Sequence, residues 1–502
     1  MKLLTSRALM LGGLLATPQM VAAFAQGDAD AMFDAFNTAL LTESGSDVFY
    51  KAALNTADAD GTWSGSLDIL AAEDVYERTG DPDTKTLVNN LLTTWLNNNP
   101  PPWDWDGWND DIGWFTLALS RGYLITRTDN FLTQAEYGFN YAFGRGWDTQ
   151  YNGGGVWEEN PQYITGPPHK EALSTDSLGK VACLLYKATH NGTYLDTCKE
   201  MYAWTQSTLF NSTTGELYTG VNETGYVDTG SAVYNQGTFL DFANLIYGIT
   251  LDSSYYDDAK LAIDFGKNSQ TVNGIFSNSA SYLNTWADEM ARGVGNFVRD
   301  NRLWGEYYTW MVQNADSILE YRRPDRNITW NAWDQPTPED DTLIANKFSS
   351  AVAWLQYTPV TQPGGIGGFH VIINNKTGLA IDSAGTYGNG NPVIQWGLNP
   401  SINQQWQLTQ NSDDSWNFLS LSTWQSLDCP GGSDEDGIGM IQWQTSRDSN
   451  QRWVLTQQSD GTYKIENQQS GKVLDGNSNS TSGAPLLQND WNSGAAQRWI
   501  IR

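Results

Sequence analysis

Histidine and cysteine are both scarce, with three of each in 502 residues, and no Cys-x-x-Cys occurs. A zinc site of the usual kind needs clustered His and Cys ligands, so no metal is expected. No glycine-rich phosphate loop opens a helix, so no nucleotide or other cofactor is expected either. Basic residues are also few: 28 Lys and Arg against 57 Asp and Glu, a formal net charge of -29. That imbalance repels nucleic acid and anionic membrane surfaces and suits a partner that is a neutral polymer. Long apolar runs are missing as well. The stretch Ala8–Ala16 is interrupted by Pro18 and Gln19, too short to span a bilayer.

What stands at the N-terminus instead has the form of a secretory signal. Lys2 and Arg7 precede the apolar stretch, and Ala23-Phe24-Ala25 offers a small-residue cleavage site. Residues 1–25 are therefore expected to be removed, leaving a secreted, extracellular or cell-wall protein that begins at Gln26. No apolar tail follows a small-residue site at the C-terminus, so no lipid anchor is expected. Six Asn-x-Ser/Thr sequons, at Asn191, Asn211, Asn222, Asn327, Asn375 and Asn479, fit a secreted glycoprotein. Cys183 and Cys198 flank a helix-turn-helix and can pair in an oxidising compartment, which leaves Cys429 odd and buried or unpaired.

Two compositions divide the chain. Residues 26–357 carry aromatics, Leu and Ala at helical spacing. Within them a Tyr three residues before a Thr recurs, at Tyr76/Thr79, Tyr123/Thr126, Tyr186/Thr189 and Tyr247/Thr250. After the last three, an aromatic follows five residues later, at Phe131, Tyr194 and Tyr255. Each unit reads as a helix end, a polar turn and the start of the next helix. Hairpins repeated at this length can close into an α/α ring, which removes the exposed ends of an open array; an irregular helical bundle is the alternative. Residues 358–367 form a Gly/Pro-rich linker, and a cut near Gly364 is expected to leave the helical part folded. Residues 368–502 alternate short β-like runs with Gly/Asn/Asp/Ser turns. Gln-x-Trp occurs there three times, at Gln404, Gln451 and Gln497, each with an upstream aspartate: Asp382, Asp428 and Asp475. Three matching units predict a threefold β-trefoil.

Chemistry concentrates at Trp103-Asp104-Trp105-Asp106-Gly107-Trp108-Asn109-Asp110-Asp111-Ile112-Gly113-Trp114. Glycoside hydrolysis uses one carboxylic acid to protonate the leaving oxygen and one carboxylate as nucleophile or base. Flat indole faces suit sugar rings. Asp110 and Asp111 at a helix start, where the helix dipole favours negative charge, can both reach one cleft. Trp108, Trp114 and Trp157 are candidate sugar platforms, each with core packing as the alternative. Asp228 reads either as a sugar ligand or as a turn residue beside Gly230. Tyr234 precedes Asn235 and Gln236, whose place at a helix start suits capping or ligand contact.

The ordered set Asp110-Asp111 with Trp114, Gly153-Gly154-Gly155-Val156-Trp157, Lys170 to Asp176, and Tyr234-Asn235-Gln236-Gly237 resembles glycoside hydrolase family 76, the α-1,6-mannanases. The resemblance implies an (α/α)6 toroid, an α-1,6-mannan polysaccharide substrate and retention of configuration. It also implies that Asp110 is the nucleophile and Asp111 the acid/base. Asp176, where that family has Asn, and Trp63-Ser64, in place of a Trp pair, are departures.

The tail resembles the ricin-type β-trefoil lectins of carbohydrate-binding module family 13. In those proteins the Gln and Trp of Gln-x-Trp are structural, and the sugar is held by the upstream Asp, a stacking aromatic and an Asn before Gln-x-Trp. This implies one site at Asp382, Trp396 and Asn403, and another at Asp428, Trp443 and Asn450. The third unit keeps Asp475 but has Asn489 and Ala496 in the other two places, with Trp491 two residues late, so it is expected to be weak. The best reading is a secreted, monomeric endo-acting mannanase held on polysaccharide by a lectin module. A cell-wall mannan transglycosidase and a non-catalytic carbohydrate-binding protein are the alternatives.

Overall fold

The computed structural model describes residues 23–160, 167–277, 287–411 and 413–502. Residues 1–22, most of the expected signal, lie outside it. Helices α1 (Asp28–Leu40), α2 (Thr62–Thr79), α3 (Pro82–Asn98), α4 (Asn109–Thr126) and α5 (Asp129–Gly146) come first. After a single turn, α6 (Gln150–Gly153), follow α7 (Ala172–Thr189), α8 (Gly192–Thr208), α9 (Val233–Thr250) and α10 (Ser253–Ser269). The series ends with α11 (Asp288–Asp300), α12 (Trp304–Glu320) and α13 (Asn346–Tyr357). Apart from α6, these helices alternate between an outer and an inner layer. The inner ones pack in a closed circle, α2 on α4, then α7, α9, α11, α13 and back to α2. This is an (α/α)6 toroid.

Burial separates the layers. Residues Gly65–Tyr76 of α2 are buried without interruption, and α4, α7, α9, α11 and α13 are nearly so. A helix enclosed on all sides has no solvent face to keep polar. The outer helices α3, α5, α8 and α10 bury one stripe only.

The Tyr/Thr repeat is a helix-ending device. In each unit the residue after the Thr (Gly80, Arg127, His190, Leu251) is left-handed, and its N–H donates to the carbonyl of the repeat Tyr. The Thr hydroxyl donates to the carbonyl four residues back. It also accepts the N–H two residues on, so the orphan groups of the turn are satisfied locally. Asp81, Asn191 and Asp252 then cap the next outer helix. Cys183 and Cys198 form a disulfide that ties α7 to α8, and Cys429 is a buried free thiol. All six sequon asparagines are exposed or half-exposed.

The chain leaves α13 at Tyr357 and enters the first strand of the second domain, β6 (Gly368–His370), after a short connection. The earlier strands β1 (Leu41–Ser44) and β2 (Asp47–Tyr50) form a hairpin, while β3 (His169–Glu171), β4 (Gly220–Asn222) and β5 (Val227–Asp228) make a small sheet on the toroid. From residue 368 onward all strands join one sheet, which closes where the last strand, Trp499–Ile501, pairs with β7 (Ile372–Asn374). The three Gln-x-Trp units occupy equivalent positions. Trp406, Trp453 and Trp499 are fully buried, and their indole N–H groups donate to the carbonyls of Ile381, Leu427 and Leu474. Gln404, Gln451 and Gln497 each donate to the aspartate of their own unit, Asp382, Asp428 and Asp475. This is a β-trefoil with a threefold polar and aromatic core.

The second domain does not hang on a tether. It sits on the end of the toroid where the inner helices finish. Leu421 and Trp424 of the trefoil belong to the toroid's own apolar core. Phe369 packs on Tyr247 and Gly248 near the end of α9. Lys187 lies 4.0 Å above the Trp424 ring, and the His190 ring packs at a tilt against Tyr387, centroids 4.1 Å apart. Donors from the trefoil reach carbonyls in the last turns of the inner helices: Arg447 to Tyr76 and Glu77, and Tyr387 to Ala188. A cut at Gly364 would uncover this interface, so the helical part is not expected to survive it unchanged. Trp424→Ala should cost about 3–5 kcal/mol, the usual loss for a buried aromatic. Calorimetry should show one joint melting transition in the parent chain and two separated ones in the variant.

Candidate active site

The mouth of the toroid lies at the other end, where the inner helices begin. Trp108 is the N-cap of α4, which places Asn109, Asp110 and Asp111 in its first turn. Several contacts fix that turn. The Asn109 N–H donates to Glu158 O at 2.7 Å, and its side-chain amide donates to Trp157 O while accepting from Arg145. Asp106 accepts the Trp108 N–H, and the Asn160 N–H donates to Gly107 O. The loop 104–109 is thereby laced to 156–160.

That second loop is shaped by glycine. A Cβ on Gly155, which is left-handed at φ 96°, would come within 2.5 Å of the Trp204 ring. Buried Lys170 holds the loop from below, donating to Asp148 Oδ1 and to the carbonyls of Asp148, Gln150 and Gly154. Thr175 accepts the Val156 N–H, and Asp176 accepts from Thr205 at 2.7 Å inside the core. The Lys170 to Asp176 segment is thus scaffolding for the mouth.

Asp111 accepts a 2.8 Å hydrogen bond from Thr62 in the first turn of α2. Burial and then the nearby Asp106 push its carboxyl up to about 7, against the pull of Thr62. Asp110 is buried, with Oδ1 lacking any hydrogen-bond partner. Burial, then Asp111, Glu158 and Glu171, hold its carboxyl well above the ordinary carboxylate range. Glu158 and Glu171 belong to the same cluster. Burial and Glu159 push Glu158 up to about 7, while burial, Glu158 and Asp228 push Glu171 up to about 8. Like carboxyls this close share protons and titrate as a unit.

The two glutamates were missed in the sequence because thirteen positions separate them. The structure joins them through the bridge between Trp157 and Lys170 and the bond from the Glu158 N–H to His169 O. Asp228 arrives by register: Glu171 pairs with Gly220 and Gly220 with Asp228 across β3, β4 and β5. Asp228 is exposed, with one oxygen accepting the Gly230 N–H, so the turn role and access to ligand coexist.

The other expected site residues divide. Trp108 is 42% exposed and Trp105 48%, so both present open faces beside the pair. Trp114 is 4% exposed and packs in the core, so it offers no platform. Trp157 is buried, its N–H donates to Asp148, and Lys170 covers its ring at 5.1 Å. Tyr234 is a core residue. Gln236 is consumed by structure: it accepts from Leu217 N and donates to Gly215 O and Ala262 O. Asn235 is buried with neither side-chain polar atom partnered, in the first turn of α9. Unpartnered polar atoms also stand in the first turns of α7, α11 and α13, at Ser174, Asp288 and Asn346. Each needs a water or a ligand hydroxyl to offset its desolvation.

In the trefoil, Trp396 is 44% exposed and Trp443 42%, each beside its aspartate. Both Asn450 and Gln451 donate to Asp428 Oδ2. Asn403 lies against Gly385, next to the turn that follows Asp382. In the third unit Asn489 donates to Asp475 Oδ2 and accepts from Gly437 N, so it closes over the position an aromatic would leave open.

Compared with known proteins, residues 35–328 match glycosyl hydrolase family 76. The chain belongs to that family. Residues 354–443 and 449–502 match the ricin-type β-trefoil lectin domain-like family. A putative mannan endo-1,6-α-mannosidase of Schizosaccharomyces pombe is 26% identical over 238 residues, 44% of this chain and 53% of that protein. The mannan endo-1,6-α-mannosidase of Candida glabrata is 24% identical over 291 residues, 54% of this chain and 60% of that protein. The chain thus spans little more than half the length of these relatives. Among solved structures, the α-1,6-mannanase of Salegentibacter aligns with a TM-score of 0.57 at 20% identity, covering 66% of this chain and 97% of that one. An inactive variant of it, with two adjacent aspartates replaced, aligns at 0.59 and 19% identity over the same shares of the two chains and was solved with α-1,6-mannotetrose. These likenesses show the family 76 fold.

The carboxyl cluster makes stability depend on pH. Asp111, Glu158 and Glu171 are raised, so the folded family 76 domain binds protons more tightly than the unfolded chain. Their contribution is full below the unfolded carboxyl range near 4 and is lost as pH rises through about 7–8. Glu77, Asp241 and Glu289 are lowered by neighbouring cations and act oppositely, losing their contribution as pH falls. The melting temperature should therefore peak at mildly acidic pH and decline toward pH 8. Glu171→Gln should flatten that decline, and an unchanged slope would remove the cluster as its cause.

Proposed function

We propose that the protein is a secreted endo-acting glycoside hydrolase that cleaves α-1,6-mannosidic linkages in mannan with retention of configuration. The observation that carries the reading is the pair Asp110-Asp111 in the first turn of an inner helix, inside a cluster of carboxyls at the mouth of a family 76 toroid. In this reading Asp110 attacks the anomeric carbon and Asp111 protonates the departing oxygen, then activates the water that releases the product. Asp111, held at about 7, keeps its proton at the mildly acidic pH of an extracellular or cell-wall setting. Nucleophilic attack requires ionised Asp110, so the cluster first releases one proton to solvent. Ionised Asp110 also stabilises the positive charge that develops on the sugar ring. Trp105 and Trp108 provide the open ring faces for neighbouring sugars.

The names of the yeast relatives, and the tetrasaccharide bound by the bacterial mannanase, support α-1,6-mannan as the substrate. The trefoil supports a second, non-catalytic grip on polysaccharide through Asp382 with Trp396 and Asp428 with Trp443.

Asp110→Asn and Asp111→Asn should each lower turnover of linear α-1,6-mannan by several orders of magnitude, with melting temperatures close to the parent. Activity above about a tenth of the parent in both variants would sink the assignment. Inverted product by proton NMR would replace retention. For the trefoil, calorimetry should show that Asp382→Ala with Asp428→Ala removes polysaccharide binding, while Asp475→Ala alone changes it little because Asn489 and Gln497 already occupy that carboxylate.

A further inference from the structure

The second trefoil site is not walled by the trefoil alone. A cavity of about 530 Å³ opens around Asp428, Trp443 and Asn450, and its far side is built by Lys85, Thr126 and Arg127 of the toroid. That volume falls within the roughly 300–1,000 Å³ typical of pockets that enclose a whole ligand. A single sugar stacked on Trp443 and held by Asp428 would leave the toroid wall untouched.

The wall carries two cations that no carboxylate pairs. Neither Lys85 nor Arg127 forms an ion pair among the described residues, in a chain with 57 acidic side chains for 28 basic ones. Arg127 lies over the Tyr123 ring at 5.5 Å, and its Nε is buried without a hydrogen-bond partner. Two carboxyls also face the cavity, Asp428 and Asp448. Asn450 and Gln451 both donate to Asp428 Oδ2, so Oδ1 remains for sugar hydroxyls. One wall therefore accepts hydrogen bonds and the opposite wall donates them.

We propose that this is a composite site for an oligosaccharide of two or more hexose units, in which Lys85 and Arg127 of the toroid hold the unit next to the one stacked on Trp443. The inference rests on the lectin reading of the trefoil. It adds that the catalytic domain helps choose which glycan the second site retains. A buried N–H left without an acceptor is costly, and the hydroxyl and ring oxygens of a second sugar supply one to Arg127 Nε.

The test uses the full chain with Asp382→Ala, to silence the first site, and Asp110→Asn, to prevent cleavage. Calorimetry compares mannose with α-1,6-mannobiose and galactose with lactose. For the pair that binds, the disaccharide should bind at least about fivefold more tightly than its monosaccharide. Lys85→Ala combined with Arg127→Asn should abolish that gain and leave monosaccharide affinity unchanged. Asn is chosen because it tolerates the left-handed backbone at position 127. Equal gain in the combined variant, or no gain in its parent, would overturn the composite site while leaving the lectin reading intact. Failure of all four sugars to bind would overturn both.

Discussion

One buried ionic network joins all six inner helices across the toroid axis. Arg121 of α4 pairs with Glu73, Asp74 and Glu77 of α2. Arg292 of α11 meets Asp74 as well as Asp288 and Glu289 on its own helix. Lys180 of α7 bridges Asp241 of α9 and Glu289 of α11, and the Tyr357 hydroxyl at the end of α13 donates to Asp74. Buried charges are expensive unless paired. A helix displaced along or around its axis would leave at least one of these charges alone. The network thus acts against slippage of the ring, a task that apolar packing performs weakly because a helix buried on all sides fits at several rotations.

Because outer and inner helices alternate, the inner six run parallel, and their dipoles add rather than cancel. The positive ends gather at the mouth, where Asp110 and Asp111 stand, and the negative ends gather at the trefoil. This polarity accounts for both faces. Carboxyls collect at the mouth with little cationic company, and there the helix termini soften their mutual repulsion. At the far end, Arg447 and Tyr387 of the trefoil donate to carbonyls in the last helical turns, and Lys187 and Arg299 lie close by. The trefoil is in this sense a cap for the helix ring as much as a second binding module.

What was legible in the sequence follows from the same geometry. Motifs with local causes were readable: the Tyr/Thr pairs because a left-handed cap and a back-bonding hydroxyl need fixed spacing, and Gln-x-Trp because one core is built three times. The Asp110-Asp111 pair was readable because it sits at a helix start just after two exposed tryptophans. Side-chain direction on the inner helices was not. With no solvent face there is no periodicity to read, so Trp114 and Gln236 looked like cleft residues and are core. Glu158 and Glu171 were hidden because only the β3 register and a backbone bond bring them together. The central network was hidden for the same reason, since its charges lie tens to hundreds of positions apart.

The rigid docking of the trefoil constrains how two grips on one polymer can cooperate. The second trefoil site borders Arg127 at the C-terminal end of α4, and the catalytic pair lies at its N-terminal end. Seventeen residues of α-helix separate Asp110 from Arg127, which is about 25 Å along the axis. A glycan held on Trp443 is therefore at the opposite end of the toroid from the cleft. The module cannot hand the bound segment directly to the carboxyl pair. Under the proposed function, its effect is to raise the concentration of cleft-accessible chains around a domain anchored from behind. On that reading the arrangement suits branched or matted polysaccharide, where neighbouring chains lie within that distance, better than isolated linear strands.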